Sequence, residues 1–377
     1  MDPPVGVYMD GVYLGRTAGS TFDLIDIERM EVLRGPQGTL FGRNTSGGAI
    51  SVTSRRPGDA FGGRTSLELG ERDLVRGTLT LDVPIADSLN TRLSLLKSEQ
   101  DGWVDRLFDG GTAGDVDTVA GRLVVDWAAS DKVQLLLSAD YSDSDNSPVP
   151  QATEGVLLPS ASLCPRFCIP LPADMNDQAS PAYDKTWTAN PSLNKLEIFG
   201  THAVLDWDMG AVSLKSITAY RDLEQTTTAD YDVTAYAFYD DLIPLEQEQF
   251  SQELQLSGLA MDDRIQWLAG AYYYKEEVDQ TNGITLGATG PLGVLDVPFG
   301  IELAPGVTLP LVPLVVDPPI PGDRGQRIVN RQNILPQTES WALFGSASIA
   351  LSERWSMSLG LRYSEDEKEQ QYRFLNP

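Results

Sequence analysis

Apolar and polar residues alternate with a period of two along most of the chain beyond residue 64. The alternation is clearest in four segments, TVAGRLVVDWAAS, KVQLLLSADYS, QFSQELQLS and RWSMSLGLRYS. This period is typical of β-strands that present one apolar and one polar face. Counting such segments predicts a mostly β fold of about eleven strands.

The links between these predicted strands alternate between short and long. The short links lie near residues 86–89, 129–132, 208–210, 260–263 and 352–354, and the long ones near 98–117, 143–195, 222–246 and 277–337. Only the outer link near residues 70–73 is tight. Seventeen of the 24 prolines fall in the two longest links, where a strand would not survive them. Short turns at one end and long loops at the other are typical of a transmembrane antiparallel β-barrel.

Aromatic residues near the strand ends support the barrel interpretation. They are Trp127, Tyr141, Tyr220, Trp267, Tyr273, Trp355 and Tyr363. Aromatic girdles flank the apolar band of a transmembrane barrel at both interfaces. Taken alone, each of these residues is better explained as a core aromatic of a soluble sandwich. The pattern as a whole favours the barrel.

The first 57 residues follow a different pattern. Two short apolar segments are separated by Asp10-Gly11, a strong turn pair. The segment TFDLIDIERMEVLRG predicts a brief helix capped near Thr21 or Asp23 and then a strand, and GGAISVTSRRP predicts another strand. We therefore predict a small mixed α/β domain over residues 1–57, too small for a robust core of its own, followed by the barrel over residues 58–377.

The stretch EVLRGPQGTLFGRNTSGGAI is rich in glycine, which raises the question of a phosphate-binding loop. A Walker loop requires a lysine after its last glycine, but Arg43 and Asn44 follow Gly42. The spacing of Gly35, Gly38 and Gly42 also differs from a dinucleotide fingerprint. The glycines therefore predict tight turns with positive φ angles.

Charge and cysteine content narrow the functional classes. The chain has 54 acidic and 28 basic residues, a net charge of −26, which argues against nucleic acid as a partner. Cys164 and Cys168 have no histidine or second cysteine pair nearby to complete a zinc site, which favours a small loop disulfide in an oxidising compartment. His202 is the single histidine, so we expect no histidine-based catalysis, no resident metal and no cofactor.

Targeting signals are not evident in the sequence. The first residues, MDPPVGVYMDGVYLG, lack the basic start and apolar core of a signal peptide. No apolar run reaches the roughly 18 residues of a transmembrane helix. These features leave a soluble β protein or a membrane protein that crosses with strands.

Several segments resemble TonB-dependent outer-membrane receptors of the iron-complex or siderophore type. They are VGVYMDGVYLGR, IERMEVLRGPQGTLFGRNTSGGAISVTSRRP, FSQELQLSG and WALFGSASIALSERWSMSLGLRYSEDEKE. The resemblance implies a plug domain inside a barrel of about 22 strands. Residues 1–57 would then be the C-terminal part of the plug, and residues 58–377 the N-terminal half of the barrel. The chain would be an internal fragment that neither spans a membrane nor transports by itself.

The resemblance also implies contacts between plug and barrel wall. The matching plug residues are Glu31, Arg34, Gly35, Pro36, Gly38, Gly42 and Arg43. Glu253 lies at a polar position of its predicted strand, which makes it our candidate wall partner for Arg34. The alternative is that Glu253 only lines a wet lumen.

The expected function is TonB-driven import across the cell outer membrane. The expected partners are TonB of the inner-membrane energy complex, through a segment absent from this chain, outer-membrane lipid and lipopolysaccharide, and a small ligand such as a ferric siderophore. Uptake of an oligosaccharide or another organic substrate remains an alternative, as does a passive porin-like channel. No Ser/His/Asp set can be assembled around one histidine, so we expect no enzyme.

Overall fold

The computed structural model describes a chain made of β-strands. It covers residues 3–16, 26–38, 41–42, 44–151, 182–188, 192–231, 233, 239–286, 289–290, 293–294, 300–304, 307–310, 328–352 and 354–374. Within these ranges we find no helix of the length and apolarity needed to cross a membrane. The helix predicted near Thr21 or Asp23, the pair Cys164 and Cys168, and Arg43 lie outside the described residues.

The described strands number 22 along the chain. They are β1 (Val5–Met9), β2 (Val12–Leu14), β3 (Ile27–Arg34), β4 (Gly48–Ser54), β5 (Gly62–Leu69), β6 (Val75–Ala86), β7 (Leu89–Gln100), β8 (Val104–Arg106), β9 (Thr112–Ala113), β10 (Val116–Ser130), β11 (Val133–Asn146), β12 (Lys185–Thr186), β13 (Leu193–Asp208), β14 (Val212–Asp230), β15 (Tyr239–Ala260), β16 (Ile265–Leu286), β17 (Thr289–Gly290), β18 (Gly293–Val294), β19 (Gly300–Ala304), β20 (Val307–Pro310), β21 (Ile328–Ser352) and β22 (Trp355–Phe374).

A small N-terminal sheet has the strand order β2-β1-β4-β3. Strands β1 and β4 are parallel, and the other two pairs are antiparallel. The predicted Asp10-Gly11 turn joins β1 to β2, with φ angles of 50° and 85°. Asp10 accepts hydrogen bonds from the backbone N–H and the hydroxyl of Ser54, at 2.8 and 2.7 Å, which ties the turn to the end of β4.

A large sheet contains eleven antiparallel strands, which confirms the number that the alternation predicted. Its order is β5-β6-β7-β10-β11-β13-β14-β15-β16-β21-β22. Each strand of this sheet therefore pairs with the sheet strands that come before and after it in the sequence. Three smaller sheets, β12-β8-β9, β17-β18 and β19-β20, lie in the long links. A meander of this kind is the topology of an up-and-down barrel wall.

The strands at the long-loop end extend further than the alternation indicated. We predicted a link over residues 222–246, but β14 continues to Asp230 and β15 begins at Tyr239. Backbone pairing needs no apolar face, and this part of β14 carries the polar run Thr226–Thr228. A pattern search based on one apolar face therefore ends such strands too early.

Burial in the large sheet is inverted relative to a soluble protein. On one face the large apolar side chains are exposed, such as Leu123, Leu137 and Leu254. The opposite face includes buried polar residues such as Ser94, Gln247 and Gln249. An apolar face turned outward and a polar face turned inward are what a barrel wall in lipid requires. We call the inward face the lumen face.

Candidate functional site

The small sheet packs on the lumen face through β1 and β2. Val12 forms an apolar cluster with wall residues from four adjacent strands, Val124, Leu136, Val204, Ile217 and Ala219. Strand β3 lies at the far edge of the small sheet, and its residues are largely exposed. The apolar part of the contact between the two sheets is therefore made mainly by β1 and β2.

One wall glutamine holds the end of β2. The Gln249 amide accepts a hydrogen bond from the Gly15 N–H at 2.9 Å and donates one to the Tyr13 carbonyl at 2.6 Å. The Tyr274 hydroxyl donates to the same amide oxygen at 3.5 Å. A strand edge buried against a wall leaves backbone groups that need partners, and here a side-chain amide supplies both a donor and an acceptor.

The residue after Gly15 makes a charged contact with the wall. Arg16 forms an ion pair with Glu276 of β16, with Nε and Oε1 3.2 Å apart. Gln247 donates to the same carboxylate oxygen at 2.6 Å. The arginine is about one-third exposed, and ion pairs with access to water are of modest strength. The ion pair therefore stabilises the position of the small sheet on the wall but can be broken.

A second charged contact joins the other side of the small sheet to β7. Arg92 donates to Asp26, with Nη2 and Oδ1 2.8 Å apart, and to Asp82 at 2.6 Å. Ser94 also donates to Asp26, and Arg55 lies 3.6 Å from it. Burial raises the pKa of the Asp26 carboxyl, but the bonds from Arg92 and Ser94 and the charges of Arg92 and Arg55 outweigh burial, so this pKa lies below its usual 3.8.

The glycine-rich motif meets the wall at Gly42. A Cβ built on Gly42 would lie 2.7 Å from Nη2 of Arg362. The Arg362 guanidinium stacks over the rings of Phe344 and Tyr272, 5.0 and 5.7 Å from their centroids. Gly35 and Gly42 have φ angles of 82° and 85°, as predicted for tight turns. A side chain at position 42 would displace the Arg362 guanidinium from this place.

The other predicted plug residues are placed differently from one another. Glu31 is exposed and pairs with Arg29 at 3.3 Å, within β3. Pro36 and Gly38 line a shallow pocket of about 440 Å³ next to Gly42. Among the described residues, Glu31, Pro36 and Gly38 form no hydrogen bond or ion pair with the wall.

The predicted pair between Arg34 and Glu253 is not formed among the described side chains. Arg34 is exposed at the end of β3. Glu253 lies on the lumen face, accepts a hydrogen bond from Gln255 and has Arg362 and Lys215 as its cationic neighbours. The physical reason is the strand order, because β3 is the strand of the small sheet furthest from β1 and β2.

Sequence reasoning missed most of the wall residues in this interface. Gln249, Glu276, Arg92 and Arg362 all occupy polar positions of alternating strands. That alternation identifies the lumen face but does not identify which of its polar residues lies opposite the plug. Within the part of the chain that the structure describes, no group of three His, Cys, Asp or Glu residues is arranged to hold a metal ion.

Comparison with known proteins gives a family match for the N-terminal residues and several partial relatives. Residues 2–49 match the family model of the TonB-dependent receptor plug domain. The N-terminal part of the chain therefore matches the plug domain of TonB-dependent receptors. It is 34% identical over 134 residues to the pesticin receptor of Yersinia pestis, an alignment that covers 33% of this chain and 19% of that protein. It is 33% identical over 96 residues to the catecholate siderophore receptor Fiu of Escherichia coli K12, covering 25% of this chain and 12% of that protein.

The fold agrees with solved receptors. The ferric yersiniabactin uptake receptor FyuA from Yersinia pestis superposes with a TM-score of 0.70 at 17% identity, over 100% of this chain and 50% of that one. The chain therefore spans about half the length of that solved structure. The small sheet is part of the plug, and the large sheet is eleven strands of the barrel wall.

Proposed function

We propose that this chain is part of an outer-membrane transporter that imports a ferric siderophore, with TonB supplying the energy by rearranging the plug. The observation that carries the proposal is the plug held against a polar lumen face by contacts that can be released. Arg16–Glu276 is a partly exposed ion pair, and Gln249 binds two backbone groups of β2 through one amide. Such contacts can be broken without unfolding the wall.

The names of the relatives support the choice of ligand. The matched proteins are receptors for pesticin and for catecholate siderophores, and a solved structure of the same fold is a ferric yersiniabactin uptake receptor. A passive channel has no use for a domain that packs across its lumen face. The cluster around Val12 and the Asp26–Arg92 contact therefore favour gated uptake over free diffusion.

Uptake of radioactive iron tests the proposal. The receptor containing this chain is produced in a bacterial strain that lacks its own siderophore receptors, and a panel of ferric siderophores is supplied. We expect import of at least one complex, and we expect import to stop when TonB is deleted. The control is the same strain carrying an empty vector.

Two results would contradict the proposal. Import that continues without TonB indicates a passive channel. Growth on an oligosaccharide as carbon source, without import of any ferric complex, indicates the organic-substrate alternative.

A further inference from the structure

Two arginines and the single histidine lie together on the lumen face. Arg122 of β10 and His202 of β13 are only 8% and 9% exposed, and the side chain of Arg221 on β14 is 12% exposed. Four of their nitrogens have no hydrogen-bond partner among the described residues: Nε and Nη1 of Arg122, Nη2 of Arg221 and Nε2 of His202. The hydroxyl of Ser138, which lies opposite His202 in the register, is also without a partner.

The strand register explains how these side chains meet. Arg122 lies opposite Asp140, Asp140 opposite Gly200, and Gly200 opposite Arg221. A Cβ on Gly200 would lie 2.9 Å from both Asp140 and Arg221. The missing side chain allows Asp140 to reach across β13 to Arg221, at 3.5 Å.

The wall part of this cluster has one positive charge more than it has carboxylates. Asp140 pairs with Arg221, and Arg122 has no ion pair among the described residues. Two other lumen-facing cations do have carboxylate partners. Arg92 has Asp26 and Asp82, and Lys215 has Asp206 at 3.7 Å. This excess stands out because the chain as a whole has a net charge of −26.

The plug covers the cluster with its β1–β2 turn. The Met9 sulfur lies 3.0 Å from Nη2 of Arg122, and Gly11 packs near Ile217, on the strand that carries Arg221. The Asp10 carboxylate interacts electrostatically with His202. With the turn in place, Asp10 balances the extra positive charge. If the turn moves, the wall keeps two guanidinium groups, an imidazole and a single carboxylate.

We propose that Arg122, His202 and Arg221 form a binding site for an anionic, oxygen-rich ligand in transit, uncovered when the β1–β2 turn leaves the wall. The proposal rests on the proposed function, since it requires plug movement. Guanidinium groups bind carboxylate, hydroxamate and catecholate oxygens through charge-assisted hydrogen bonds. The free nitrogens of Arg122, Arg221 and His202 are the donors that such a ligand would use.

Charge-selective labelling of a thiol tests the site in energised cells. His202→Cys is introduced together with Cys164→Ser and Cys168→Ser. It is reacted with anionic sulfonatoethyl methanethiosulfonate and with the cationic trimethylammonioethyl reagent, and each rate is divided by that reagent's rate with glutathione. We expect reaction to require TonB and the anionic reagent to be favoured about tenfold or more, as for focused charge in a cleft.

Matched variants separate local charge from the overall charge of the wall. Arg122→Gln with Arg221→Gln, added to the labelling variant, is expected to bring the ratio of the two rates close to one. Lys97→Gln with Lys195→Gln removes the same charge from exposed positions and is expected to leave the ratio unchanged.

The proposal is overturned by equal rates for the two reagents, by the absence of any reaction in energised cells, or by reaction that does not need TonB. Iron import is measured on the unmodified receptor in parallel. Import without charge preference refutes this site alone, whereas charge preference without iron import refutes the proposed ligand and leaves the site standing.

Discussion

At the scale of single residues, the interface depends on groups whose neighbours are far away in the sequence. Gly42 faces Arg362, and Asp26 faces Arg92. Gly42 leaves room for the Arg362 guanidinium, because a Cβ at this position would overlap with it. Both contacts make quantitative predictions.

Replacing Gly42 by alanine is expected to destabilise the plug more than the same change at Gly35. Both residues have left-handed φ angles, 85° and 82°, so each alanine carries a backbone strain of about 1–2 kcal/mol. Only at Gly42 does the new methyl group also displace Arg362, because nothing lies within 4 Å of a Cβ at Gly35. Calorimetry of the detergent-solubilised receptor measures the difference.

Arg362→Ala provides the control for this comparison. In that background the extra cost of Gly42→Ala over Gly35→Ala is expected to disappear. A difference that persists without the Arg362 side chain would show that the guanidinium contact is not its cause.

Asp26→Asn is expected to lower the free energy of unfolding of the plug by about 3 kcal/mol at neutral pH. This is the lower end of the cost of breaking a buried ion pair, because Arg92 still has Asp82 as a partner in the variant. The pKa of Asp26 is lowered in the folded state. Its contribution is therefore complete above the unfolded pKa of about 3.9 and is lost as the pH falls through the folded value. Unfolding curves of both proteins at pH values from neutral to strongly acidic measure this gap.

The gap between wild type and Asp26→Asn should accordingly be constant above about pH 5 and narrow below about pH 4. Asp59→Asn, at an exposed position, should leave stability unchanged throughout. A gap that widens on acidification would contradict the ion-pair account.

At the scale of elements, each wall strand is defined by which face meets lipid and which meets the plug. Outward aromatic residues mark two levels on β22, where Trp355 and Tyr363 are eight residues apart, about 27 Å along a strand. The side chains between them on the same face are Met357, Leu359 and Leu361. This arrangement fits an apolar band about 25 Å tall on tilted strands.

Leu254→Arg and Gln255→Arg are expected to differ strongly although they are adjacent on β15. Leu254 lies on the outward face and is 44% exposed, so an arginine there costs about 2–4 kcal/mol in the bilayer centre. Gln255 lies on the lumen face beside Glu253, where an arginine gains a carboxylate partner. The yield of folded receptor in outer membranes measures both, and equal yields would contradict the assignment of faces.

At the scale of the whole molecule, the large sheet is open. Within the described residues, β5 and β22 each pair on one side only. Unpaired strand edges in lipid leave backbone groups without hydrogen bonds. A wall of this kind is stable in a membrane only when both edges find strand partners.

A protein limited to residues 1–377 is therefore expected not to insert into lipid vesicles as a monomer. Protease treatment of vesicles followed by mass spectrometry measures protection of the strands. Protected β5 and β22 in monomeric protein would contradict the expectation, whereas protection in an oligomer would show that copies of the chain pair their edges.

The sequence was sufficient to predict much of the architecture. Alternation with a period of two depends only on neighbouring residues, and the eleven wall strands follow from it. The Asp10-Gly11 turn and the left-handed glycines of the motif are also local, because φ above zero has few residue choices. The resemblance of the stretch from Glu31 to Pro57 to a known family is likewise a property of the local sequence.

Tertiary structure alone decided which residues meet across the interface. A period of two shows that Gln249, Glu253 and Arg362 face the lumen, but not which of them the plug touches. That depends on the strand order of the small sheet, which turns β2 towards Gln249 and leaves Arg34 on the far edge. Contacts between residues more than two hundred positions apart, such as Gly15 and Gln249, arise from packing geometry, which no local pattern encodes.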